Sequence, residues 1–199
     1  MASLKESAGT GANGAGGGST SWSSPGNVTA SDNSYANITG PGFISKDLEC
    51  TNFGFVIPAG ATIDGIEVHM ERYKSAGSVI DLSVKLLNAD GAGGETSVDR
   101  ETGLAWLTTE SIVTFGSSTD KWGESWTPAK VNSSSFGLRF QCQGLSMMSS
   151  DVALIDHVEI TVYYTAVAAS SHKIGNLDID SIKIGSLSVS KIYIGGTEI

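Results

Sequence analysis

The last 26 residues of the chain repeat with a ten-residue period, and this repeat restricts the fold more than any other feature. The block that begins at Ile174 recurs at Ile184 and, shortened, at Ile194. Its apolar residues come as pairs two positions apart, with three positions between pairs. Two steps along a β-strand keep side chains on one face, whereas three steps move them to the other. Either the chain bends at every pair, or neighbours cover both faces.

Repeats this short cannot bury their own apolar surface and are stabilised by stacking on neighbours. The missing neighbours are expected to be other copies of the same chain or a partner protein. We therefore predict a homo-oligomer, with a trimer as the expected state. The predicted oligomer interface consists of the paired apolar residues Leu177, Ile179, Ile182, Ile184, Leu187, Val189, Ile192 and Ile194.

The distribution of charge limits the partners. The net charge is −9, and it lies entirely between residues 47 and 172, where 16 acidic residues face 7 basic ones. Such a surface repels phosphate backbones, so nucleic-acid binding is not expected. The N-terminus lacks the pattern of a secretory signal, and no segment has the ~20 apolar residues of a membrane span. Neither export by a signal peptide nor a membrane partner is expected.

The chain divides into four segments by composition. Residues 1–20 are glycine-rich and almost free of apolar side chains, which predicts an extended arm held by a neighbouring subunit. Residues 21–165 alternate apolar and polar side chains in short runs, residues 166–172 are expected to form a linker, and residues 173–199 contain the repeats. In the run 80–86, for example, Ile80, Leu82, Val84 and Leu86 are expected to face the core.

Alternation with one polar face is typical of half-buried antiparallel sheet. Roughly eight such runs without a helical period predict an all-β fold, an antiparallel β-sandwich of the jelly-roll type. Cys50 and Cys142 lie in two of these runs. They are expected to be buried free thiols, since a disulfide is rare in a protein made in a reducing cytoplasm.

The sequence contains no pattern that indicates catalysis. His69, His157 and His172 lie in three different elements without a metal-ligand spacing, and no nucleophile, phosphate-loop or dinucleotide motif is present. Asn88, Asp90 and Glu95 could offer oxygen ligands to calcium, but a hairpin turn requires the same residue types. We expect no enzyme activity, no cofactor and no metal.

The tryptophans leave one functional alternative open. Trp122 and Trp126 lie four residues apart in a segment that also contains Asp120 and Glu124, and Trp122 could stack on a sugar ring. The other interpretation is that Trp22, Trp106 and Trp126 fill the core, because tryptophan is highly buried on average. Trp122 is the possible glycan contact.

Several motifs resemble a β-sandwich domain that recurs in structural proteins of tailed bacteriophages. They are the segment from Trp22 to Asn27, the segment from Ser31 to Ala36, the segment from Phe53 to Ile66, the segment from Trp122 to Trp126, and Phe136-Gly137. The closing residues 189–199 are similar to short repeats that end many phage tail and virion proteins. The resemblance implies a virion component made in the host cytoplasm, without catalytic residues.

The sequence therefore predicts a non-enzymatic virion structural protein, with a capsid cement or decoration protein favoured over other positions. Its partners would be further copies of itself and other virion proteins, such as the major capsid protein or tail proteins. The alternatives are a tail or fibre component, or a carbohydrate-binding adhesin module that uses loop tryptophans.

Overall fold

The computed structural model describes residues 1–89 and 94–167, together with the backbone of four short strands between 172 and 198. The chain forms two compact units, Met1–Ala166 and Val167–Ile199. The first unit is a sandwich of two antiparallel sheets. None of the helices in the described residues is long and apolar enough to span a membrane.

The five-stranded sheet, here called the front sheet, has the order β1-β9-β5-β7, and β3 also pairs with β9. Its strands are β1 (Ala2–Ser7), β3 (Ala36–Gly40), β5 (Thr62–Ala76), β7 (Ser111–Ser117) and β9 (Asp151–Thr165). The back sheet has the order β2-β4-β8-β6. It consists of β2 (Thr10–Gly17), β4 (Lys46–Thr51), β6 (Val79–Asn88) and β8 (Phe136–Gly144). A 3-10 turn (Pro25–Val28) and a single helical turn, α1 (Pro128–Val131), complete the unit.

Successive strands from β1 to β9 alternate between the two sheets, so every connection crosses an end of the sandwich. Each strand directs alternate side chains into the space between the sheets, where they form one apolar core. The predicted all-β, jelly-roll-like sandwich is confirmed. Cys50 and Cys142 are buried free thiols, as expected. Trp22, Trp106 and Trp126 lie in the core, which confirms the structural interpretation of these three residues.

Residues 1–20 do not form an arm, and this prediction is wrong. β1 pairs with the second half of β9, from Ala2 opposite Tyr164 to Ser7 opposite Glu159. β2 pairs with β4, from Thr10 opposite Thr51 to Gly17 opposite Lys46. The first residues of the chain therefore belong to the sandwich, and β9 and β4 of the same chain hold this segment in place of a neighbouring subunit.

Close packing of backbones explains why this segment is rich in glycine. A Cβ atom at Gly11 would collide with the carbonyl oxygen of Pro25, and one at Gly18 would collide with the carbonyl oxygen of Ile44. Glycine is the residue that permits such an approach between backbones. The glycine-rich composition that predicts an extended arm is instead required by the close packing of backbones within the sandwich.

The second unit contains an antiparallel sheet of the order β10-β11-β12-β13. Its strands are β10 (His172–Ile174), β11 (Leu177–Ile179), β12 (Ile192–Ile194) and β13 (Thr197–Glu198). β10 pairs antiparallel with β11, and β12 pairs antiparallel with β13. Of the predicted interface, Leu177, Ile179, Ile192 and Ile194 lie in these strands. Ile182, Ile184, Leu187 and Val189 lie outside the described residues. Self-association through these residues stays a prediction.

Candidate functional site

Among the phenylalanines, tryptophans and tyrosines of the described sandwich, only tyrosine rings reach the surface. All four tryptophans and all six phenylalanines of the chain are buried. Tyr35, Tyr73 and Tyr163 are half-buried and belong to the front sheet or its edge. Any stacking of a ligand ring on this part of the chain must therefore involve tyrosine.

Trp122 is fully buried, so its proposed role as a glycan contact is wrong. Its indole nitrogen donates a hydrogen bond of 2.9 Å to the carbonyl oxygen of Ile66. Its ring lies against Gly116, where a Cβ atom would come within 2.7 Å of the indole nitrogen. Asp120 accepts a hydrogen bond of 2.9 Å from the backbone N–H of Trp122 and fixes the loop. The indole thus closes one end of the core and presents no free face to solvent.

The outward side of the front sheet carries a layer of mostly polar and aromatic side chains, here called the outer face. The exposed Ile112 of β7, opposite Glu71, also lies on this side. Alternation along β5 and β9 sends aliphatic residues into the core and the intervening residues to this side. Its members come from four neighbouring strands and the segment before β3. They are Lys5, Ser7, Tyr35, Glu67, His69, Glu71, Tyr73, Thr114, His157, Glu159, Thr161 and Tyr163.

Hydrogen bonds and ion pairs hold the central part of the outer face in place. Lys5 Nζ lies 2.5 Å from Glu159 Oε2, and His69 Nε2 lies 2.7 Å from Glu67 Oε1. The side chains of Glu159, Glu67 and His69 remain 24%, 21% and 19% exposed. They are fixed by their neighbours and still accessible to a ligand's hydroxyl groups.

One end of the outer face brings together three carboxylates from three strands or their extensions. Carboxylate oxygens of Glu71, Glu110 and Asp156 all lie within 4.8 Å of one another. Glu71 belongs to β5, Glu110 directly precedes β7, and Asp156 belongs to β9. The register of β5 and β9 shifts here, because Glu71 pairs with His157 while Arg72 pairs with Ile155. Asp156 is therefore the extra residue of a β-bulge, a feature that redirects side chains.

Two tyrosines border this carboxylate cluster. The rings of Tyr35 and Tyr73 meet edge to face with centroids 5.4 Å apart. The Tyr35 hydroxyl donates a hydrogen bond of 3.3 Å to Glu110 Oε2. Burial, and then the charge of Glu110, raise the pKa of the Tyr35 hydroxyl, which therefore stays protonated as a donor. Burial and the charges of Glu71 and Asp156 raise the pKa of Glu110.

The outward side of the back sheet differs in chemistry. Arg139 bonds Glu49 at 2.8 Å and Glu95 at 3.1 Å, and Lys85 bonds Glu95 at 2.6 Å. Its acidic groups are thus neutralised by basic ones, and the calcium alternative at Glu95 has its carboxylate occupied by these cations. Asp90, the central residue of that alternative, lies outside the described residues.

The pockets of the sandwich are weaker candidates for a ligand-binding site than the outer face. One of about 200 Å³ lies beside Arg139, and one of about 250 Å³ is lined by Leu104, Trp106 and Leu107. Both are smaller than the ~300–1,000 Å³ of typical ligand pockets. A more open depression of about 420 Å³ between Gly18 and Ile44 contains no titratable side chain. The described surface therefore favours binding on a sheet face.

No family model matches the sequence, and no curated protein matches it. Among solved structures, the CBM22-1 xylan-binding domain from Paenibacillus barcinonensis matches 82% of this chain and 95% of its own, at 15% identity and a TM-score of 0.41. A CBM4 structure matches 78% of this chain and 92% of its own, at 13% identity and a TM-score of 0.37. The N-terminal cellulose-binding domain of a β-1,4-glucanase from Cellulomonas fimi matches 82% and 89%, at 14% identity and a TM-score of 0.35. This likeness is one of β-sandwich architecture alone.

Proposed function

We propose that the sandwich is a non-catalytic module that binds a neutral carbohydrate chain on its outer face. The observation that carries this proposal is the placement of the accessible aromatic rings. Tyr35 and Tyr73 lie at one end of the outer face and Tyr163 lies towards the other, with fixed polar side chains between them. Sugar recognition needs both components, because the apolar side of a pyranose ring packs on an aromatic ring while its hydroxyls bond to polar groups.

The dimensions of the outer face favour an extended ligand. Tyr73 pairs with Leu154 of β9, and Tyr163 lies nine residues further along that strand. At about 3.3 Å per residue, the two ends are roughly 25–30 Å apart. A single sugar cannot contact both ends, whereas an oligosaccharide or polysaccharide strand can.

The charge of the outer face favours a neutral carbohydrate. Glu67, Glu71 and Glu159 lie on it, and Lys5 is its basic residue from β1. A uronic-acid or sialic-acid polymer would be repelled by this surplus of carboxylates. Neutral hydroxyl-rich chains can instead donate hydrogen bonds to the same groups.

Binding should depend on the tyrosine rings and not on Trp122. Replacing Tyr163 or Tyr73 with Ala is expected to weaken the affinity for a neutral polysaccharide at least tenfold, because a stacking surface at either end is removed. Tyr163→Phe keeps the ring and should bind nearly normally, and Trp122→Phe should lower stability without changing affinity. Affinity electrophoresis and titration calorimetry against β-glucans, xylans and mannans measure the effect, with polygalacturonate as the acidic comparison.

Two outcomes would overturn the proposal. One is the absence of binding by the wild-type protein to every neutral polymer of the panel. The other is binding that survives both alanine substitutions. Val56→Ala, at a side chain that is 79% exposed and lies outside the outer face, serves as the control for removing apolar surface.

A second candidate function, a virion structural component, is favoured by the organisation of the C-terminal repeats. Residues 167–199 form a compact unit of their own, with an antiparallel sheet of short strands. A small separate unit of this kind suits docking onto other subunits, as the ten-residue repeat predicts. The two functions are compatible, since a particle can display a glycan-binding sandwich through such a unit.

The docking role makes a separate prediction. Deleting residues 173–199 is expected to convert an oligomer into folded monomers, because the predicted apolar interface is removed while the sandwich keeps its core. Light scattering reports the mass, and circular dichroism reports the sandwich. An unchanged oligomer mass in the truncated protein would show that the repeats do not drive self-association.

A further inference from the structure

The carboxylate cluster of Glu71, Glu110 and Asp156 lacks the cations that neutralise other acidic groups of the sandwich. In residues 1–89 and 94–167, no salt bridge to Lys, Arg or His involves any of these three carboxylates. Elsewhere, Lys130 lies 3.1 Å from Glu124, and Arg100 lies 2.7 Å from Asp120. Three carboxylates in close contact without a cation repel one another and disfavour the folded state.

The oxygen atoms themselves provide a second, independent observation. Asp156 is only 1% exposed, and its Oδ1 atom is buried without a hydrogen-bond partner. Glu110 Oε1 is also buried and unpartnered. The other oxygen of each carboxylate has a partner, since Asp156 Oδ2 accepts from the Asn33 backbone N–H at 3.1 Å and Glu110 Oε2 accepts from Tyr35. In both Asp156 and Glu110, one carboxylate oxygen is thus held by a hydrogen bond, while the other is buried and without a hydrogen-bond partner.

A buried acceptor without a donor is costly, and native proteins rarely leave one unsatisfied. A hard cation would satisfy both free oxygens and remove the repulsion at the same time. Calcium binds carboxylate oxygens at about 2.3–2.6 Å, so oxygens on opposite sides of the ion lie about 4.6–5.2 Å apart. The spacing of up to 4.8 Å in the cluster fits this range.

We infer that Glu71, Glu110 and Asp156 form a calcium-binding site that fastens β5, β9 and the segment before β7 to one another. Glu71 is only half-buried and leaves the site open to water molecules, which complete the coordination shell. The β-bulge at Asp156 and the hydrogen bond from Asn33 position the most buried ligand. The cluster lies at the Tyr35 and Tyr73 end of the outer face and shares Glu71 with it. Calcium binding itself needs no glycan, so it is tested without one.

The test uses the full-length protein, first stripped with a chelator and then titrated with calcium chloride. Bound calcium should raise the thermal midpoint by roughly 5 °C or more at a hundredfold excess over the dissociation constant. Terbium chloride should bind at the same site and luminesce on excitation of tyrosine, because the Tyr35 and Tyr73 rings border the cluster. Calcium should then displace the terbium signal.

Substitutions test whether the carboxylate cluster is the site that binds calcium. Asp156→Asn retains an oxygen for the Asn33 N–H but removes the charge, and it should abolish both the calcium-dependent shift and the terbium signal. Glu71→Gln changes the more exposed ligand and should weaken calcium binding at least tenfold. It replaces Asp156→Asn as the test variant if Asp156→Asn does not fold. Glu49→Gln, which removes a carboxylate already paired with Arg139, should bind calcium normally.

The alternative occupant is a proton shared between Glu110 and Asp156. In that case the wild-type protein would show neither a calcium-dependent shift nor terbium luminescence, and the inference would be overturned. Calcium binding that persists in both Asp156→Asn and Glu71→Gln would also overturn it, because the ion would then be bound elsewhere.

Discussion

Removal of residues 1–18 is expected to unfold the sandwich. The deletion takes away β1, which pairs with β9 over six residues, and β2, which pairs with β4. It also removes Asn13, whose side chain bonds both the backbone N–H and the carbonyl oxygen of Trp22. At about 0.5–1.5 kcal/mol for each backbone hydrogen bond, two lost ladders amount to much of the roughly 5–15 kcal/mol that stabilises a domain.

Thermal unfolding followed by circular dichroism measures this effect. The truncated protein should show no cooperative transition near that of the full chain, or should accumulate in the insoluble fraction. Deletion of residues 173–199 is the control, because it removes an even longer segment, but from the other compact unit, and should leave the sandwich transition in place. A cooperative midpoint within a degree or two of the full chain would restore the interpretation of residues 1–20 as an arm.

The sequence predicts the sandwich well where alternation is regular. Phe136, Leu138, Phe140 and Cys142 alternate with smaller or polar residues, and all four are buried in β8. A half-buried strand needs only this period of two, which any neighbouring strand can satisfy. Fold class therefore follows from the pattern, even though the strand order does not.

Alternation fails as a guide where a bulge shifts the period. The run from Ile80 to Leu86 predicts that Ile80 and Leu82 face the core and that Asp81 faces water. In the structure the register of β6 and β8 shifts between Asp81 and Ser83. Asp81 is 1% exposed as a result, while Ile80 and Leu82 are only half-buried. A bulge depends on the partner strand and leaves no signature in the run itself.

The carboxylate cluster could not be predicted for a related reason. Glu71, Glu110 and Asp156 are far apart in the sequence, and each lies among other polar residues. Their contact arises from the pairing of β5 with both β7 and β9, and from the bulge at Asp156. The sequence does indicate that two tyrosines lie on the outer face, because Tyr73 and Tyr163 occupy positions of the alternation that face outward.

Among single substitutions, one at Asp81 is expected to lower the free energy of unfolding the most. It lies on β6 of the back sheet and pairs with Arg72 on β5 of the front sheet, so this ion pair joins the two sheets. Arg72 Nη2 lies 2.9 Å from Asp81 Oδ2, and Trp106 Nε1 donates a hydrogen bond of 2.9 Å to Asp81 Oδ1. The Arg72 guanidinium also packs over the Trp106 ring, 4.3 Å from its centroid.

Asp81→Ala is expected to destabilise the protein by about 3–5 kcal/mol, because it leaves a buried guanidinium without its counter-charge and the Trp106 N–H without an acceptor. Burial lowers the pKa of Arg72 to about 10, so the guanidinium is charged at neutral pH in the wild-type protein and needs a counter-charge. Urea denaturation measures the free energy of unfolding. The double variant Arg72→Met with Asp81→Leu removes both charges and should recover most of the loss, since a well-packed apolar pair often replaces a buried ion pair without penalty. If the double variant were as unstable as Asp81→Ala alone, the cost would come from the Trp106 N–H without an acceptor or from lost packing around Trp106, and not from the unpaired charge.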